Sequence, residues 1–141
     1  MSIVITEVVR LVGYVKVFFR LPSGNIGAGV WMGESPRVHC EYSVEYDVRD
    51  AVRWGRELRP AETGTSPSVR LNGDTVILTG EFVHMPLPDE TLNVVAYHDS
   101  LRYEDNVCAV RLTVEGETPD RMEAAELSIP FYRLGMWPYF T

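Results

Sequence analysis

The stretch Val8–Leu21, "VVRLVGYVKVFFRL", decides the fold class. One face of its period-two alternation reads Val9, Leu11, Val15, Val17, Phe19 and Leu21. The other reads Val8, Arg10, Val12, Tyr14, Lys16, Phe18 and Arg20. That period, with β-branched and aromatic composition, predicts a strand. The stretch is long for one strand, so a bend or bulge is expected at Gly13. Long first strands bent at a glycine suit small barrels.

The next stretch, "LPSGNIGAGVWMG" (21–33), carries glycines at 24, 27 and 29. A phosphate loop places its glycines between a strand and a helix N-terminus, whose free N–H groups hold the anion. Here the spacing is wrong, no Lys-Ser/Thr follows, and Ile26–Met32 alternates like another strand. Gly27 and Gly29 therefore read as clearance on one sheet face for a neighbouring ring.

The same grammar continues downstream. Val38–Val48 alternates an apolar face (Val38, Cys40, Tyr42, Val44, Tyr46, Val48) with a wet one (His39, Glu41, Ser43, Glu45, Asp47). A short strand is expected around Val52–Trp54, and longer ones over Thr75–His84, Thr91–His98 and Val107–Val114. "TPDRMEAAEL" (118–127) predicts one short helix, with Thr118 as cap and Pro119 in the first turn. The expected fold is mainly β: an antiparallel small barrel or sandwich of seven to nine strands. An oligonucleotide-binding-like first part is expected over residues 5–60. The chain, 1–141, reads as a single domain with sub-parts 1–60 and 66–141 sharing one core, joined through "PAETGTSP" (60–67).

Net charge is −7, and it is unevenly placed: residues 1–65 hold 8 basic and 8 acidic side chains, residues 66–141 hold 5 and 12. Such a field repels phosphate backbones and favours basic partners. No apolar run is long enough for a bilayer helix, and "MSIVITEVVR" lacks the basic start of a secretory signal, so a cytoplasmic location is expected. Cys40 and Cys108 read as free thiols in alternating apolar patterns.

Catalytic and metal motifs are not found. His39, His84 and His98 lack the paired spacing of zinc ligands, and no cofactor motif occurs. In "YHDS" (97–100) the His, Asp and Ser are sequence neighbours, which cannot form a nucleophilic relay, and no G-x-S-x-G elbow is present. The chain therefore reads as non-enzymatic.

Two faces are candidate binding sites. Tyr97, His98, Asp99, Arg102, Tyr103, Glu104 and Asp105 join negative charge to aromatic anchors, which suits a basic protein partner. Bacterial immunity proteins against nuclease toxins have this general character. The alternative is Arg10, Tyr14, Lys16, Phe18 and Arg20, where basic groups alternate with rings as in single-stranded nucleic acid binders. The C-terminal "FYRLGMWPYFT" (131–141) is aromatic enough to need cover. It is expected to fold back as an edge strand over the glycine face. Docking on a second copy, or on a larger assembly as a structural subunit, is the other outcome.

Overall fold

A computed structural model describes residues 2–62, 68–83, 92–98 and 107–139. The long N-terminal stretch reverses instead of bending. β1 (Ser2–Leu11) and β2 (Tyr14–Arg20) form an antiparallel hairpin in which Leu11 faces Tyr14. Only Val12 and Gly13 are left for the turn. Gly13 takes φ +89°, the left-handed region that a tight reversal demands and that glycine enters freely. The single bent strand expected over 8–21 is corrected to two strands. No Asn, Asp or Pro marks this turn, so glycine was its only signal.

β3 (Ile26–Trp31) pairs with β2, and β4 (Glu41–Val48) returns to pair with β1. The resulting order β4-β1-β2-β3 is a Greek key. β13 (Leu134–Pro138) then runs parallel to β3 and antiparallel to β4, closing a five-stranded barrel. This is the architecture of oligonucleotide-binding-type barrels. Its fifth strand, however, comes from the far end of the chain and not from residues 49–60. The C-terminal segment is thus an internal strand hydrogen-bonded on both sides, which corrects the expected edge position.

The barrel interior holds Ile3, Ile5, Val17, Phe19, Val44, Tyr46, Leu134 and Met136. Gly27 lies opposite Phe19, and a Cβ there would come within 2.5 Å of the ring. At Gly29 a Cβ would meet Met136 Sδ at 2.7 Å and the Leu134 carbonyl oxygen at 2.9 Å. Gly27 gives the expected clearance for a ring, whereas the room at Gly29 goes to Met136 and a backbone carbonyl.

The described residues between 49 and 133 form a lobe inserted between β4 and β13. Its short strands β5 (Val52–Arg53) and β11 (Val114–Glu115) pair with each other. Its main sheet contains β6 (Leu58–Pro60), β12 (Arg121–Pro130), β8 (Thr75–Val83), β9 (Leu92–His98) and β10 (Val107–Leu112), with β7 (Ser68–Asn72) also on β8. β10 continues this sheet onto β4, whose edge is divided: Glu41–Ser43 bind β1, while Tyr46 and Asp47 bind β10. One buried apolar cluster runs through both parts.

The helix expected over 118–127 is corrected to strand β12. Ala125, Leu127 and Ile129 are fully buried at a period of two, and β8 and β6 flank the strand. Sheet pairing overrides the local helix preference of "RMEAAEL". Among the described residues the only helical turn is the 3-10 turn Phe131–Arg133. None of the described helices is long and apolar enough to cross a membrane.

Candidate interaction surfaces

The outer face of β2 and β3 carries Tyr14, Lys16 and Phe18 beside Ala28 and Val30. Ala28 and Val30 are buried although they point out of the barrel, because the lobe packs over them. Lys16 Nζ sits 3.9 Å from the Phe131 ring centroid and 4.6 Å from that of Phe18. It also pairs with Asp74 at 3.2 Å, which leaves its side chain 12% exposed. The Tyr14 and Phe131 rings lie 6.2 Å apart. Of the basic–aromatic set read from the sequence, three members are therefore committed to internal contacts. Arg20 is exposed at the far end of β2. Arg10, beyond the reversal, lies opposite Val15 and donates to Ser35 Oγ at 3.4 Å, so it does not share their face.

Tyr97 and His98 close β9, paired with Cys108 and Val107. Asp99, Arg102, Tyr103, Glu104 and Asp105 lie outside the described residues. Because β10 runs parallel to β4, the His98–Val107 end of the sheet is the end at which β4 begins.

A second acidic and aromatic face is built there by long-range pairing. The outer side of β4 presents Glu41, Ser43, Glu45 and Asp47. β13 sets Trp137 directly opposite Glu45 and Gly135 opposite Asp47. The Tyr139 amide donates to the Ser43 carbonyl at 2.8 Å, which continues the pairing by one step. Trp137 is 44% exposed and Tyr139 50%, and the Tyr139 hydroxyl donates to Glu45 Oε1. The carboxylates were legible as the wet face of Val38–Val48. Their aromatic neighbours were not, because nothing local announces that strand β13 lies beside β4.

The junction of barrel and lobe is fastened by charge. Arg133 donates to the carbonyls of Arg49 (3.1 Å), Asp50 (3.4 Å) and Ala51 (3.0 Å), and to Glu57 Oε2 at 3.2 Å. Glu57 also accepts from the Arg53 amide and from Arg56 Nε. Burial alone would raise the Glu57 pKa. The backbone N–H groups of Glu57 and Arg53, with Arg133 and Arg56, outweigh it and hold the carboxyl at about 2. This clasp joins the strand that leaves the barrel to the turn that re-enters it.

An open cleft of about 330 Å³ lies at one end of the barrel, lined by Ile3, Val4, Arg20, Leu21, Pro22, Gly24 and Glu41. Among the described residues no three His, Cys, Asp or Glu side chains come together as a metal site. Cys40 is a half-buried free thiol. Compared with family models, with curated proteins and with solved structures, the chain gives no match.

Proposed function

We propose that this chain is a non-enzymatic binding protein that engages a basic protein partner, in the manner of an inhibitor or immunity protein. The observation that carries this reading is the outer face of β4 and β13. There, Glu41 and Glu45 share a face with the half-exposed rings of Trp137 and Tyr139. Carboxylates steer a cationic partner, and large rigid aromatics supply contact area at little entropic cost. The net charge of −7 acts in the same direction. Residues Tyr97–Asp105 are proposed to contribute to the same binding; of these, Tyr97 and His98 end β9 at the end of the sheet where β4 begins.

The rival reading is single-stranded nucleic acid, which the barrel architecture favours. Burial of Lys16 under Phe131 and Asp74 weighs against it. The two separate cleanly by fluorescence anisotropy with two probes: a labelled Arg/Lys-rich peptide and a labelled oligothymidylate of equal length. The peptide is expected to bind at low salt and to weaken steeply towards moderate ionic strength. Binding of the oligonucleotide without binding of the peptide would reject the proposal. Glu41→Gln with Glu45→Gln, set against Asp99, Glu104 and Asp105→Ala, divides the effect between the two acidic stretches.

A further inference from the structure

We infer that Glu45, Trp137 and Tyr139 form a receptor for a single arginine side chain; the inference rests on the binding role proposed above and names its recognition element. Three features combine. Glu45 and Trp137 face each other across antiparallel strands, which puts their Cβ atoms about 5 Å apart on the outer face. The Tyr139 hydroxyl fixes Glu45 through Oε1. Both rings keep about half of their surface in water beside that fixed charge.

A planar guanidinium satisfies all three at once. It stacks on an indole face while its N–H fork donates to a carboxylate, and it sheds water more readily than an ammonium does. The surrounding charge helps. Glu41 and Asp47 lie on either side of Glu45 along β4, and Arg111 pairs in register with Asp47 on β10. Asp47 itself is turned away from the receptor, its Oδ1 buried over Gly135.

The test is a two-dimensional NMR titration of the full chain with N-acetyl-arginine amide, following the Trp137 indole N–H. Its signal is assigned by its loss in Trp137→Phe. Saturable movement of this signal is expected, with the lysine amide weaker and the uncharged citrulline amide inert. Glu45→Gln should weaken arginine binding by about fivefold or more, since it removes a charge-assisted bond at an exposed site. All three side chains are exposed, so the variants keep the barrel, and unchanged dispersion of the remaining amides verifies it. Equal movement with citrulline, or full affinity in Glu45→Gln, overturns the receptor. If the basic peptide still binds under those results, the wider role stands and only this recognition element falls. If the arginine amide binds here and the peptide does not, the receptor stands and the wider role falls.

Discussion

At Gly27 the backbone of β3 passes so close to the Phe19 ring that even a methyl group has no room. Phe19 is fully buried and packs 5.9 Å from Tyr46, so its ring cannot swing aside. Gly27→Ala is therefore expected to lower stability by about 1–3 kcal/mol, the usual cost of overpacking a closed core. Urea denaturation measures it, and an unchanged midpoint would show that the barrel tolerates displacement of the ring. The need for clearance was legible because two glycines share one face of an otherwise alternating strand. Gly13 was legible only in part. A glycine within an apolar alternation signals a bend or a full reversal equally well, and Val12, fully exposed at the tip, gave no hint of a turn.

Between elements, the stabilising contact most open to test is the Arg133 clasp. Arg133→Ala leaves Glu57 half-buried without its main cationic partner and removes the donor shared by three carbonyls. A loss of about 2–4 kcal/mol is expected, less than a fully buried pair would give because some water reaches both groups. The pH dependence follows from Glu57. Its folded pKa of about 2 lies below the ordinary 4.5, so folding favours the ionised carboxyl. The stability it contributes is complete above pH 4.5 and is lost as pH falls from there towards 2. Glu57→Gln should therefore be less stable than the native chain at pH 6, with the gap narrowing over that window. A gap that stays constant between pH 4.5 and 2 would contradict the assignment. Strand β12 shows where element-level reading stopped. "DRMEAAEL" satisfies helix propensity and capping, and only the partners β8 and β6, both distant in sequence, make it a strand.

For the whole molecule, the decisive feature is that β13 closes the barrel. Leu134 and Met136 are fully buried, and each contributes roughly 1.5–3 kcal/mol on burial. Deleting residues 134–141 also leaves β3 and β4 without a shared partner. The truncated chain is expected to lose cooperative unfolding and native near-ultraviolet circular dichroism. A truncated chain that melts as before would mean the barrel does not depend on this strand. The mainly-β class and the candidate for a small barrel were legible from alternation alone. The pairing of β13 with β3 and β4 was not, because strand partners separated by the inserted lobe leave no periodic trace.

That separation also sets an order in time. During synthesis the ribosome releases the four N-terminal barrel strands and then the whole lobe while the closing strand is still in the exit tunnel. The barrel cannot finish until β13 has followed the lobe out of the tunnel. Its first strands must wait with their apolar inner face uncovered, or be held by a chaperone, while the lobe assembles. Such long-range closure is slow and leaves nascent chains open to aggregation. A stop codon ahead of β13 would therefore yield a protein that had never closed.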